Sequence, residues 1–346
     1  MGKKQTASMR CVLRNTWMKI GFVAASTLVA GLLACSGGGS SGPYIVEPVL
    51  EDANFPISIR SGPEGEIYFT ELTSGNVRIM RPAADGTLEL QQTPLATVPV
   101  PIGTGEGLSG LALDINFATN SYLYVYHTHP SPRRNRLIRL TIHNGRSESE
   151  RVLLDNIPAD EHDGGALIAA PDNTLYLATG DANSAALAQD MTSTAGKILR
   201  IVTDGSIPSD NPDPSSPIIA SGIRNVFGMD FDARTDTIYF SDNGPDCDDE
   251  FNSLTFGSNY GWREEQPCGD SAEGFKQPLT RFNPSMGITA VHVYHGAEFP
   301  HLEGRILVAD YNTGSIRILE ASGTTAQIVG KIISGDYGPI LGLSSD

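Results

Sequence analysis

The sequence predicts an all-β chain folded as a six-bladed β-propeller of four-stranded antiparallel blades, the last blade incomplete at the C-terminus. Three observations carry this expectation. A tyrosine-centred or apolar strand recurs five times, as "GEIYFTE", "SYLYVYH", "NTLYLAT", "DTIYFSD" and "GRILVAD", each bounded by turn formers. A second echo follows most of these, "GNVRIM", "RLIRLTI", "GKILRIV" and "GSIRIL", replaced in the fourth unit by "EFNSLTFGSNYGW". A further apolar strand and turn precedes most of them, as in "ISIRSGPEG", "LSGLALDINF", "ALIAAPDN" and "VFGMDFDART". Strand triplets repeated at this period point to radial repetition around a channel.

The tyrosines Tyr68, Tyr124, Tyr176 and Tyr239 stand 56, 52 and 63 residues apart, wider than a minimal blade, so long loops are expected. Only "SAALAQDMTSTAG" offers a modest helical pattern. The final "GPILGLSSD", Gly338 to Asp346, looks like the first strand of a sixth unit cut at its turn. Either that unit is truncated, the reading we favour, or "YIVEPVLEDANF" near the N-terminus helps to close the ring.

Residues 1–34 carry five basic residues and no acid, then an apolar run from Ile20 to Ala34. That is the pattern of a signal peptide, too short for a spanning helix. It ends in "LLAC", which resembles the lipobox of bacterial lipoproteins and implies lipidation at Cys35. Residues 35–46, with "SGGGSSGP", read as a flexible tether, and residues 47–346 as the propeller. Ser36 after the cysteine resembles the pattern sorted to an outer membrane. The implied location is the cell envelope, lipid-anchored at the periplasmic face.

Removing the five leader cations from 24 leaves 19 against 40 acids, a net charge of about −21. Such a surface repels nucleic acid. The acid excess suits oxygen-ligated cations and plain solubility alike. Cys247 and Cys268 remain after processing, either as one disulfide, which an oxidising envelope favours, or as two free thiols. His127 and His129 in "YHTHPSPRR" read as a metal pair or a solvated loop. No nucleophile elbow, Walker loop or His-Glu-x-x-His is present.

Four loops occur in a fixed order: "EGLSGLALDINFATNSYLYVY", "HDGGALIAAPDNTLYLATGDANSAALAQDMTSTAGKILRI", "GIRNVFGMDFD" and "NGPDCDDEFNSLTFGSNYGW". Together they resemble the soluble PQQ-dependent sugar dehydrogenases, with the related sorbosone dehydrogenases and Hedgehog-interacting-like propellers, over residues 45–346. The resemblance implies oxidation of an aldose or related alcohol with PQQ and calcium (Ca2+), electrons passing to a separate acceptor. It implies His162 as general base, Asp181 orienting it, and Arg224 with Asn225 at the quinone. The matching carbonyls of Gly244 and Pro245 imply the calcium beside the cofactor. Asp249, Glu250 and the Tyr260 carbonyl match separate structural calcium sites. Physically, an imidazole accepts a proton near neutrality, and calcium takes carboxylate and carbonyl oxygens. Gly164 and Gly165 are expected to admit a flat cofactor. Trp262 reads as a core or channel-wall aromatic.

The sequence also departs from the glucose-oxidising pattern. Gly105 and Glu106 stand where those members have glutamine, and Val226 and Phe227 replace a polar contact. Asp310, Tyr311, Asn312 and Thr313 stand where lysine and arginine hold the cofactor's carboxylates. These departures support an alternative, a non-catalytic, calcium-stabilised binding propeller; a third reading, apart from them, is a calcium-dependent lactonase on a six-bladed propeller.

Overall fold

The tyrosine-centred segments are buried on both faces because each forms the second strand of a blade whose two sides are covered by neighbouring blades. Ile67–Glu71 and Thr174–Thr179 are buried at every position. This is why they read as continuous apolar runs rather than alternating ones. The computed structural model describes residues 9–10, 44, 46–50, 53–102, 106–264, 268–269, 273–335 and 337–345. The expected leader and the expected lipidation site Cys35 lie outside the described residues, apart from Met9–Arg10, which pairs with Val46–Glu47. Residues 36–43 of the expected tether and Gly105 lie outside them too.

Five antiparallel blades follow in chain order. Blade 1 comprises Pro56–Ser61, Ile67–Glu71, Asn76–Pro82 and Leu88–Leu90, with Ala96–Thr97 also paired to its third strand. Blade 2 comprises Leu108–Leu113, Tyr122–Pro130, Arg133–His143 and Arg146–Ile157. Blade 3 comprises Gly164–Ala169, Thr174–Thr179, Lys197–Val202 and Ile218–Ser221. Ser258–Asn259 adds to its outer edge in parallel. Blade 4 comprises Met229–Asp232, Thr237–Asp242, Asp249–Ser253 and Thr280–Phe282. Blade 5 comprises Ile288–Val293, Ile306–Asp310, Ser315–Ser322 and Thr325–Ser334.

The expectation of six blades is therefore corrected: the described residues build five, and the fifth is complete. Residues 338–345 form no strand, because their polar groups make isolated bonds to backbone and side chains of the flanking blades' strands instead of a ladder. Ile340 N donates to the Asp310 carbonyl at 3.4 Å, Ser61 N donates to Ser344 Oγ at 3.0 Å, and Ser345 Oγ meets His292 Nε2 at 2.9 Å. The segment lies between the inner strands of blades 5 and 1.

Apolar side chains fill the gaps between consecutive blades. Ile79 packs with Leu111 and Leu123, Tyr124 with Leu167 and Leu199, Ile198 with Met229 and Phe240, and Phe251 with Val291 and Val308. Between blades 5 and 1 the core is split. Ala290, Leu307 and Ile340 form one cluster, and Ile59, Phe69 and Met80 another. The N-terminal stretch leans on both, Tyr44 and Val46 on the first and Val49 and Leu50 on the second.

Candidate active site

Inner-strand starts and the loops between second and third strands converge at one end of the channel. His162 stands two residues before the inner strand of blade 3, and Asp181 follows its second strand by two residues. Gly180 lets these segments touch: a Cβ there would lie 1.8 Å from the His162 carbonyl. The Ala182 amide donates to that carbonyl at 3.1 Å. Gly164 and Gly165 also have internal causes. Both adopt positive φ, +67° and +126°, and a Cβ would meet Gly180 N at 2.6 Å or Ser109 Oγ at 2.3 Å respectively. The paired glycines after the histidine thus answer to strand packing.

His162 Nδ1 meets Asp181 Oδ1 at 2.8 Å. The other carboxylate oxygen, Oδ2, accepts the Trp262 indole N–H at 2.6 Å, and Asn183 N donates to Oδ1 at 2.9 Å. Asp181 is buried, whereas the imidazole is 19 % exposed. On the opposite ring edge, Arg224 Nη2 lies 3.1 Å from His162 Nε2. An ionised aspartate accepts only, and a guanidinium donates only. This assigns the proton to Nδ1 and the lone pair to Nε2, the arrangement a general base needs.

Arg224 Nη1 donates to the carbonyls of Asn243 at 2.9 Å and Gly244 at 3.1 Å, and its guanidinium sits 5.3 Å from the Trp262 ring centre. Its Nε is buried without a partner. Asn225 turns its side-chain oxygen to the Gly164 amide at 3.1 Å. Asp242 grips the amides of Arg224 and Asn225 at 2.9 and 2.7 Å. That residue, like Asp163, was not singled out from sequence; the signal was an aspartate ending a buried strand, "YFSD".

Beyond Arg224 a cavity of about 30 Å³ is bordered by Asp242, Gly244, Pro245, Glu250 and Tyr260. Burial pushes the carboxyls of Asp242 and Glu250 up to about 7, and the negative charge of Glu250 contributes to the shift at Asp242. A cation here would offset that repulsion. Among the described residues no three His, Cys, Asp or Glu side chains form a ready-made metal cluster. A calcium would draw on backbone carbonyls as well as acids. Asp249, fully buried, accepts the amides of Gly244 at 3.0 Å, Met286 at 2.6 Å and Gly287 at 2.7 Å, and so joins the loops of blades 4 and 5. Cys247 and Cys268 are bonded as a disulfide, with Cα atoms 5.9 Å apart. His127 is buried against the Pro99 carbonyl at 3.1 Å, and burial lowers its pKa to about 4.

A larger cavity of about 500 Å³ opens along the channel beside His162, walled by Glu161, Asp163, Gly165, Phe227, Asn243 and Tyr311. Its lining is mostly apolar with an acidic side that includes Glu106. Arg60 also reaches it, but its guanidinium already serves the carbonyls of Ile59 at 2.7 Å and Leu167 at 2.8 Å. Asn312 and Tyr311 line the fifth-blade side, with no cation beside them among the described residues.

A propeller with a histidine held between aspartate and arginine at the channel mouth defines a class of loop-built, small-molecule sites. The profile of the Glucose / Sorbosone dehydrogenase family matches residues 53–338, and the chain belongs to that family. It is 28 % identical over 247 residues to the quinoprotein glucose dehydrogenase B of Acinetobacter calcoaceticus, covering 62 % of this chain and 51 % of that protein. An uncharacterized protein of Synechocystis is 26 % identical over 310 residues, 79 % of this chain and 74 % of its own length. The PQQ-bound aldose sugar dehydrogenase of Streptomyces coelicolor superimposes with a TM-score of 0.75 at 27 % identity, covering 86 % of each chain. The chain spans about half the length of the Acinetobacter relative.

Proposed function

We propose that this protein is a PQQ- and calcium-dependent dehydrogenase that oxidises an aldose sugar or related alcohol. The observation that carries the reading is the Asp181–His162–Arg224 alignment, which fixes the proton on Nδ1 and directs the Nε2 lone pair to Arg224 Nη2, the contact a substrate hydroxyl would replace. When bound, PQQ supplies the hydride acceptor and calcium polarises its reactive carbonyl. The chain's own residues do the rest. His162 Nε2 takes the proton of the substrate hydroxyl, and Asp181 stabilises the imidazolium that results. Arg224, whose buried Nε has no partner among the described residues, would stabilise negative charge on a quinone oxygen.

The residues fit the quinone end of PQQ. Arg224 and Asn225 would hold it, and the carbonyls of Gly244 and Pro245 would hold the calcium beside it, while Glu250 and the Tyr260 carbonyl would serve separate structural calcium and Asp249 is committed to three loop amides. They fit the carboxylate end less well, since the described lining there carries acids and amides. That mismatch favours the second reading, a calcium-stabilised binding propeller without turnover. We also place the protein on a lipid anchor at Cys35 in the cell envelope, donating electrons to a separate acceptor.

Dye-linked oxidation of an aldose panel, with calcium and added PQQ, tests the reading. Wild type is expected to turn over, and His162→Ala to lose roughly 10²–10⁴-fold in kcat. Absence of turnover in both, with melting still raised by calcium, selects the binding propeller.

A further inference from the structure

Lys197 is fully buried at 0 % exposure, at the start of the third strand of blade 3. A methionine would occupy such a place without desolvating a charge. The lysine instead spends all three ammonium protons on backbone carbonyls: Leu187 at 2.7 Å, Ala195 at 2.8 Å and Ala188 at 3.0 Å. Those carbonyls belong to both ends of one device. Leu187 and Ala188 close the short helix Ala185–Gln189, where a cation also meets the negative end of the helix dipole. Ala195 closes the loop that returns from it.

The device leads to the active site. Asp181 begins the loop, and Gln189 ends the helix. Gln189 Nε2 donates to the Trp262 carbonyl at 2.7 Å, and its side-chain oxygen accepts from Asn259 Nδ2 at 2.7 Å. The Gly222 amide donates to Ala188 O at 3.0 Å, tying the same turn to the strand before Arg224. Trp262 then delivers its indole N–H to Asp181, which holds His162.

We infer that Lys197 is a positioning residue: as an internal cation it fixes the Ala185–Gln189 helix, through which Gln189 and Trp262 set the Asp181 carboxylate that orients His162. Calling His162 the base rests on the proposed dehydrogenase reading; the positioning chain does not. Burial lowers the lysine's pKa to about 8, so the ammonium form that makes three bonds prevails at and below neutrality.

The test uses the full chain carrying Trp17→Phe, which leaves Trp262 as the sole tryptophan of the two. Lys197→Met is expected to red-shift Trp262 emission and to change the His162 ¹⁵N shifts away from the Nδ1–H tautomer. With PQQ and calcium, kcat/KM for an aldose is expected to fall at least tenfold with a displaced pH profile. Gln189→Met, which keeps the lysine and cuts the next link, is expected to reproduce both spectroscopic changes. A folded Lys197→Met with unchanged emission and unchanged His162 shifts overturns the inference. If that variant does not fold, unchanged spectra in Gln189→Met overturn it instead. Lack of aldose oxidation by the wild type counts against the dehydrogenase reading, while the spectra still decide the positioning role.

Discussion

Asp163 stands next to His162 in sequence but faces a separate network, and its protonation state follows from counting hydrogens. Asn135 Nδ2 donates to its Oδ1 at 2.7 Å and the Asp160 amide to the same oxygen at 3.1 Å. Thr128 Oγ1 lies 3.0 Å from Oδ2 and 2.7 Å from Asn135 Oδ1. A threonine has one hydroxyl proton for those two oxygens, so a proton on Asp163 satisfies both contacts. Burial, with Glu106 adding negative charge, raises this carboxyl to about 6. A pKa raised on folding gives stability that is present below the unfolded value near 4 and is lost as pH climbs through 6. The loss is on the order of 3 kcal/mol. Asp163→Asn imitates the protonated acid, so its urea-unfolding free energy is expected to decline less steeply between pH 4 and 6 than that of the wild type, the remaining slope coming from Asp242 and Glu250. At this scale the sequence exposed His162, Asp181 and Arg224 because each sits in a motif of fixed order. It did not expose Trp262 as the partner of Asp181, since 81 residues separate them and an indole N–H bond leaves no periodic trace. Lys197 was hidden inside "GKILRIV", where a charge at a strand start reads as solvated.

The same contrast runs through whole elements. First and second strands were legible because they are buried on both faces and therefore apolar. Outer strands such as Arg146–Ile157 and Thr325–Ser334 are largely exposed, so their residues carry no inward pattern. The third strand of blade 4 was legible only as a break in the echo, because "DEFNS" spends its first residue on loop amides rather than on apolar packing. The Cys247–Cys268 disulfide encloses that strand and Trp262 across a separation of 21 residues. Closing a loop of this length removes unfolded-state entropy worth about 3 kcal/mol. Replacing both cysteines with serine is expected to lower the unfolding free energy by up to that amount in urea titrations. On the proposed calcium reading, added calcium is expected to raise the Tm of this variant more than that of the wild type, because Gly244, Pro245 and Glu250 border the same small cavity as the bridge.

At the scale of the whole ring, four of the five blade junctions are sealed by a continuous apolar core and one is not. Inner strands of blades 1 to 5 otherwise share side-chain clusters with the next blade, which couples their opening. Between blades 5 and 1 two separate clusters face each other, bridged by residues 340–345 through bonds that mostly involve a side chain. Each such bond contributes only about 1 kcal/mol net, less than an interdigitated leucine or phenylalanine. The six-blade expectation failed at this place, since a repeat count reads strand-like residues but not whether they find a ladder. Cooperative units of low stability open first, and their amides exchange fastest. Native-state hydrogen exchange is therefore expected to show the inner strands Pro56–Ser61 and Ile288–Val293 less protected than Leu108–Leu113 and Gly164–Ala169. Gly342 sits in the seam with room for no Cβ, which would lie 2.9 Å from the Ile59 side chain. Gly342→Val is accordingly expected to lower Tm and to raise exchange in those two strands first, leaving the junction of blades 2 and 3 protected until global unfolding.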